Sequence, residues 1–400
     1  MNWFEQALAV LPRLPDTREN LERAIDLRLD LRQSLFPLNR LAEVWTRLQE
    51  AERLSRALDD PRRLGWVSAY VSGHHLHTGG HVTEMRTFAQ RIEAIAGRLG
   101  DDALHVTALY YLAGAADVSG DYRDAERVCR KLMQSLHDRT ARERYGLAVF
   151  PAVIARAYLA RALAERGRFE EGDAHGREAI RIGEALDHPF SIVVACIDLG
   201  YVKSRRGELT EATGLLERAV AQCREWDITN HAPIALASLG HACAWSGRLD
   251  EGISYLQQAL TAYERAGIGF RHSLTVERLG EAYLRADQVD HASACADRAV
   301  ALARERGERG FEAWALHLLG EIASHRTRVD ATTAAAHYGA AMALASDLDM
   351  RPLAAHCHAG LGRLHRRTGA DEQAQTHLTT ARAMYGEMGM TTWLERLETG

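Results

Sequence analysis

Four histidines crowd one short stretch of the sequence and could do metal chemistry. They are His74, His75, His77 and His81. Imidazoles three or four positions apart lie on one face of a helix, where they can share a zinc ion. The glycine pair at 79–80 is typical of a turn, so we expect His81 to begin a new helix and to point elsewhere. We therefore predict a solvated or groove-facing cluster and no metal site.

Arginine is concentrated at a second place. Arg363, Arg366 and Arg367 fall within five residues, together with His365. Guanidinium groups bind anions through paired hydrogen bonds, so this stretch could hold a phosphate, a carboxylate terminus or an acidic helix. The alternative is a solvated helix end, where basic side chains complement the helix dipole. The sequence alone leaves both interpretations open.

Motifs that would indicate catalysis are absent from the sequence. It has no GxxxxGK[ST] phosphate loop, no GxGxxG after a strand, and no HExxH, GxSxG or EF-hand pattern. We therefore predict a chain that is not an enzyme and that uses no cofactor.

Composition narrows the class of protein further. The 400 residues include 49 basic and 54 acidic ones, a net charge of −5, which argues against nucleic-acid binding as the main role. No apolar run approaches the ~20 residues that span a bilayer, and the first residues lack a signal-peptide pattern. Six cysteines occur singly, as is typical of a reducing compartment. We expect a cytoplasmic protein with neither membrane nor nucleic acid as partner.

An internal repeat indicates the fold. Gly167, Gly207 and Gly247 each open a short turn motif and are 40 residues apart, and Ala179, Ala219, Ala259 and Ala299 follow the same interval. Leu-Gly pairs precede these turns. Small residues let antiparallel helices approach to ~8–10 Å, with the leucines buried beside them. This pattern is typical of tetratricopeptide arrays, although their usual unit is ~34 residues.

The repeat predicts an all-α, right-handed α-solenoid of about nine antiparallel helix pairs over residues 17–387. The predicted pairs lie near 17–58, 61–98, 102–136, 150–186, 189–226, 230–266, 270–306, 309–347 and 350–387. The 47-residue step from Gly120 to Gly167 places a longer connection at 138–150. Residues 388–400 are predicted to form a terminal cap or tail.

The start of the chain matches the second helix of a pair. Residues 3–8 (WFEQAL) align with 255–260 (YLQQAL). We therefore predict that residues 1–16 are a partial helix of a truncated repeat and expect the natural chain to continue upstream; the alternative is a short natural chain with an adapted end.

Solenoids bind through the concave face, which the first helix of each pair lines. Positions at fixed offsets from each repeated glycine should face inward in a tetratricopeptide geometry. Aromatic and arginine side chains there are typical anchors for a protein or peptide partner. The predicted groove residues are Tyr70, His74, His77, Tyr110, Asp117, Arg161, Glu165, Tyr201, Arg205, His241, Trp245, Glu277, Glu281, Arg285, His317, Glu321, His325, Arg363, Arg366 and Arg367. The alternative for each is packing between neighbouring helices.

Several stretches are similar to a known family. They include AIDLRLDLR at 24–32, DHPFS at 187–191, RGFEAWAL at 309–316, AHCH at 355–358 and HLTTA at 377–381. Together they resemble the C-terminal tetratricopeptide region of bacterial class III adenylate/guanylate cyclase fusion proteins, where a cyclase domain and an AAA-type ATPase precede the array. The resemblance implies a sensor or docking platform that regulates those domains. It carries over no catalytic residue.

The leading functional hypothesis is a regulatory protein-interaction module that binds a partner segment in its groove. A second hypothesis is self-association through the terminal helices, near Trp3 or over Met384–Trp393. A third is a sensor of nucleotides or other small molecules, which would use the histidines and arginines of the interior.

Overall fold

The computed structural model describes residues 6–7, 10–13, 15–35, 40–136, 142–325 and 329–399. In these ranges the chain forms nineteen α-helices and no strand. The predicted all-α solenoid is therefore confirmed. The prediction for residues 3–8 concerns positions that lie mostly outside the described residues.

The helices run in chain order along the solenoid. They are α1 Arg18–Leu35, α2 Leu41–Ala57, α3 Pro61–Thr78, α4 Val82–Leu99, α5 Asp102–Ser119, α6 Tyr122–Gln134, α7 Pro151–Glu165, α8 Phe169–Ala185, α9 Pro189–Arg206, α10 Leu209–Glu225, α11 Ala232–Trp245, α12 Leu249–Ala266, α13 His272–Arg285, α14 Val289–Arg306, α15 Arg309–His325, α16 Ala331–Asp347, α17 Arg351–Arg367, α18 Asp371–Glu387 and α19 Thr391–Thr399.

Successive helices pack as hairpins, from α1 with α2 to α17 with α18, and α19 follows as a single helix. Glycine allows the closest approach: a Cβ atom on Gly252 of α12 would lie 2.6 Å from the carbonyl oxygen of Gly240 in α11. Side-chain caps begin several helices. Asp60 and Asp101, for example, each accept a hydrogen bond from the backbone N–H three residues later. Most buried apolar side chains join one large core cluster, whereas α1 and α2 pack in a separate cluster with residues of α3.

The solenoid makes more than one superhelical turn, and the second turn lies directly on the first. The turn after α3 contacts the loop before α13, where the Gly269 N–H donates to the His77 carbonyl at 2.8 Å. The turn after α5 meets the start of α15, where Gly120 and Gly310 touch. The turn after α9 meets α19, where the Thr392 hydroxyl donates to the Gly207 carbonyl at 3.0 Å. In these three contacts, the turn of one hairpin meets the beginning of the fifth hairpin after it, or of the single helix α19 in that position.

Residues 142–150 form the described part of the longer connection before α7. The Phe150 N–H donates to the Ser191 hydroxyl of α9 at 3.2 Å, and the Phe150 ring lies edge-on to His188 at 5.0 Å. The connection before α7 is therefore held against the start of α9, in the second hairpin that follows it.

Candidate functional site

The first helix of each hairpin faces the inside of the superhelix, as expected from the repeat. Because the second turn covers the first, this inner face is an interior with three parts. A charged cluster fills the middle, and a cavity lies on either side of it. We call these parts the central network, the N-terminal cavity and the C-terminal cavity.

The central network joins both turns through buried ion pairs. Arg271, directly before α13, donates to Asp117 of α5 at 3.0 Å and to Asp198 of α9 at 2.7 Å. Arg161 of α7 lies 3.0 Å from the other oxygen of Asp117. Burial raises the pKa of Asp198, and the guanidinium groups of Arg271 and Arg161 oppose that rise. Four side chains from four separate hairpins meet in this way.

The same network continues around Glu165. This carboxylate accepts hydrogen bonds from the Tyr201 hydroxyl and, at 3.2 Å, from the Trp314 indole. The Arg205 guanidinium lies 3.5 Å from the centre of the Trp314 ring and donates to the Tyr201 hydroxyl at 3.0 Å. Aromatic faces and carboxylates therefore offset the desolvation of Arg205.

These contacts correct the expectation of an open groove along the whole array. Five predicted groove residues in the central network are no more than 8% exposed. They are Asp117, Arg161, Glu165, Tyr201 and Arg205. Repeat periodicity places them on the inner face, but the second turn packs over that face and leaves no room for a partner segment.

The C-terminal cavity, by contrast, brings many of the predicted residues together around an unfilled space. Its volume is about 410 Å³. Helices α11, α13, α15, α17 and α19 line most of it, with single stretches from the ends of α9 and α18. The predicted residues on its wall are Arg205, His241, Trp245, Glu281, Arg285, His317, Glu321, His325 and Arg363.

Two glutamates of this cavity are fully engaged. Glu281 accepts from the Trp245 indole at 3.0 Å and is 2.9 Å from His241 Nε2. Glu321 accepts from Arg363 at 2.9 Å and from the Tyr338 hydroxyl at 2.6 Å. Burial opposes ionisation of Glu321, but Arg363 and His317 lower its pKa below the ordinary value. Both carboxylates act as internal partners for the wall of the cavity.

Two arginines of the same cavity have aromatic neighbours instead. The Arg285 and Arg396 guanidinium groups lie 4.1 and 4.8 Å from the centre of the Trp245 ring. Trp393 packs edge-on against Trp245 at 4.7 Å. Neither arginine forms an ion pair within the described ranges. Desolvation, and then the nearby charge of Arg285, lower the pKa of Arg396.

Three buried histidines of the C-terminal cavity, His241, His317 and His356, add no positive charge at neutral pH. Burial lowers the pKa of His241 to about 4, lowers that of His317 and holds that of His356 well below its ordinary value. Four arginines and two glutamates therefore set the charge of the wall, which is positive overall. The cavity can hold an anionic group beside aromatic rings.

The N-terminal cavity is smaller, about 120 Å³, and more aromatic. It includes the predicted residues His77 and Tyr110, with Tyr111 and Tyr158 beside them. Tyr70 lies nearby, with the Arg32 guanidinium 4.4 Å from its ring centre. His74 stacks on Trp45 at 5.0 Å, outside this cavity.

The remaining predicted residues lie apart from both cavities. Glu277 is buried, and that burial together with Glu281 raises its pKa. Arg366 and Arg367 are exposed, and Arg367 donates to the Ser324 carbonyl. The basic stretch is thus divided, since only Arg363 contributes to the C-terminal cavity.

Sequence reasoning missed several residues of the interior. Trp314 and His356 stand six positions before the repeated Gly320 and Gly362, so the offset rule already covered them. Asp198 stands outside the rule, and Arg271 lies in a loop. Trp393 and Arg396 belong to α19, beyond the repeat. No periodic signal could have identified these last four.

The chain is similar to known proteins at the level of the fold. No family model matches the chain. No curated protein matches its sequence. A Rap protein complexed with Competence and Sporulation Factor superposes with a TM-score of 0.62 at 12% identity, covering 91% of this chain and 98% of that one.

Two further structures agree. The Rap conjugation gene regulator of plasmid pLS20, in complex with the Phr* peptide, has a TM-score of 0.57 at 12% identity and covers 92% of this chain and 96% of that one. Cut9 in the APC/C hetero-tetramer Cut9-Hcn1 has a TM-score of 0.54 at 18% identity, with 88% and 62% covered. The fold is that of tetratricopeptide-like repeat proteins.

Among the described residues, no helix is long and apolar enough to cross a membrane. In the same part of the chain, no group of three or more His, Cys, Asp or Glu side chains could hold a metal ion, and this includes the described histidines at 74–81.

Proposed function

We propose that this chain is a regulatory protein-interaction module that captures a segment of a partner in its C-terminal cavity. The observation that carries the proposal is the pair Arg285 and Arg396, two guanidinium groups without a carboxylate partner in the described residues, held against Trp245 at the wall of a 410 Å³ cavity. The Rap conjugation gene regulator of plasmid pLS20, which shares the fold and is in complex with the Phr* peptide, supports a peptide as the occupant.

The chemistry of the wall suggests what the segment contains. Trp245, Trp393 and Trp314 offer apolar surface for one bulky side chain. The two arginines offer paired donors for a carboxylate. We therefore propose a segment that presents an acidic group, from a side chain or its C-terminus, next to an aromatic or large aliphatic residue.

A selection from a random heptapeptide library tests the proposal, followed by calorimetry with the recovered peptides. We expect acidic groups beside bulky apolar residues, and about tenfold weaker binding to each of the variants Arg285→Gln and Arg396→Gln. The matched control is Arg298→Gln, an exposed arginine on α14 outside the cavity. A library that yields no binder, or Gln variants with unchanged affinity, would contradict the proposal.

A nucleotide sensor is the second candidate. Aromatic rings also stack on bases, and arginines also hold phosphates, so the same wall could take a nucleotide. Titration of the nucleotides into the calorimeter separates the two, since a nucleotide receptor binds them without any peptide.

The wider role rests on the sequence resemblance. We propose that the occupied cavity regulates a cytoplasmic signalling enzyme, either linked to this array or associated with it, as the resemblance to cyclase fusion proteins implies. Self-association through Met384–Trp393 is less favoured. Met390 is buried, and the Trp393 indole donates to the Arg205 carbonyl, so this segment is already packed within the chain.

A further inference from the structure

The N-terminal cavity has a wall that the peptide proposal does not use. Residues 146–149, at the end of the longer connection before α7, line one side of it. The extra residues that break the 40-residue register therefore cover an inner space rather than extend a helix. The loop before α13 closes another side through Phe270 and Arg271. Both segments are irregular parts of an otherwise regular array.

Aromatic rings dominate the inside of this cavity. Tyr110 lies edge-on to Tyr111 at 4.8 Å and parallel to Tyr158 at 6.5 Å. Phe190 and Phe270 add two more rings. A dry apolar cavity of ~150 Å³ accommodates benzene, so about 120 Å³ between aromatic walls suits one six-membered ring.

Two buried nitrogens at this cavity lack a hydrogen-bond partner within the described residues, Nε of the ion-paired Arg271 and Nδ1 of His231. The His231 ring packs edge-on against Phe190 at 4.7 Å. Burial lowers the pKa of His231 to about 3, so the imidazole is neutral at pH 7. A neutral imidazole nitrogen can form a hydrogen bond with an uncharged hydroxyl or N–H group.

Charged groups at the cavity have partners of their own. Arg271 is paired with Asp117 and Asp198, and Arg32 lies over the Tyr70 ring. Burial also lowers the pKa of His77 to about 4, so this imidazole is neutral. The wall therefore does not require a charged ligand.

We propose that the N-terminal cavity is a second binding site, for a small neutral aromatic molecule that carries one hydrogen-bonding substituent, such as a phenol or an indole. The ring lies among Tyr110, Tyr158 and Phe270, and the substituent meets His231. This site is separate from the C-terminal cavity, because the central network fills the space between them.

The test uses 4-fluorophenol and fluorobenzene as probes of the full chain, observed by ¹⁹F NMR. We expect 4-fluorophenol to bind and to raise the melting temperature. The variant His231→Phe should bind 4-fluorophenol about tenfold more weakly, while its affinity for fluorobenzene stays the same. Val194→Phe, which fills the cavity, should abolish both. Arg285→Gln in the other cavity is the control and should change neither.

Different results would overturn the site and the role of His231. Absence of binding of either probe at millimolar concentration, or binding that survives Val194→Phe, overturns the site. Equal loss of both probes in His231→Phe overturns the role of that imidazole. If Val194→Phe fails to fold, NOEs between bound 4-fluorophenol and tyrosine ring protons in the unmutated protein decide the location, and their absence overturns the site. None of these results bears on peptide binding.

Discussion

Arg271 shows how a single residue can hold two superhelical turns together. It lies just before α13 with a positive φ of 58°, a conformation that costs energy for a residue other than glycine. That backbone geometry accompanies two buried ion pairs, with Asp117 and Asp198. Buried charges are costly to desolvate, and loss of one partner leaves another charge uncompensated. The pairs therefore favour one register between the turns over any other.

Buried histidines make the stability of the protein depend on pH. Burial lowers the folded-state pKa of His241 to about 4 and that of His231 to about 3, below the usual ~6.5. The unfolded chain therefore binds more protons between those values, and stability falls as the pH drops below ~6.5. Glu308 and Glu277, whose pKa values burial raises, act in the opposite direction, but the buried histidines outnumber them.

We therefore predict a lower urea midpoint at pH 5.5 than at pH 7.5. The variant His241→Gln should show a smaller difference between the two pH values, because Glu281 keeps a donor while one titrating group is removed. The exposed His291→Gln is the control and should behave like the unmutated protein. A midpoint that rises on acidification, or a His241→Gln variant with the full difference, would contradict this explanation.

At the residue scale, the sequence predicted residues of the C-terminal cavity that recur at the same position of each repeat. It could not predict those that lie outside the repeat. His241, Trp245 and Glu281 were predicted from their offsets to the repeated glycines, and the structure places all three at the C-terminal cavity. Arg396 could not be predicted, since α19 lies outside the repeat. One of the two arginines that lack an ion pair within the described residues could therefore not be identified from the sequence.

At the scale of elements, helix limits followed from local chemistry. The ends of the predicted pairs lie within about two residues of the ends of the observed hairpins. Small residues at crossings and polar caps are local signals, so one sequence suffices to find them. What an irregular segment covers is a different question. The connection before α7 was predicted as an insertion, but its contribution to a cavity depends on helices far away in the chain.

The loop before α13 packs tightly against the end of α3, where the two superhelical turns meet. A Cβ atom at Gly269 would lie 2.1 Å from the Thr78 carbonyl oxygen. We predict that Gly269→Ala separates this loop from α3 while the helices remain. Amide exchange at Phe270, whose N–H donates to the His77 carbonyl, should become faster, and the melting temperature should fall.

Gly214→Ala is the matched control for this change. Gly214 lies inside α10 and has nothing within 4 Å of an added Cβ atom. Alanine there should stabilise the helix by roughly 0.5–1 kcal/mol. Unchanged exchange at Phe270 in the Gly269→Ala variant would show that the loop does not depend on this close contact.

At the scale of the whole molecule, closure of the superhelix decides what the inner face can bind. An open spiral would offer one long groove, whereas stacked turns leave two separate cavities. The contacts that close it join residues about 190 positions apart, such as Gly120 and Gly310. Contacts of that kind are not repeated in each hairpin, so the periodicity that predicted the fold carried no information about them.

The distance between the two turns tests this central claim most directly. Spin labels at Thr83 and Glu305 stand two residues from the contact between His81 and Gly307. Double electron–electron resonance should then give one narrow distribution of distances between the two labels. Two residues on each side of the contact place the labelled Cα atoms less than about 20 Å apart. A broad distribution at more than about twice that distance would mean an open spiral, in which neither cavity exists as described.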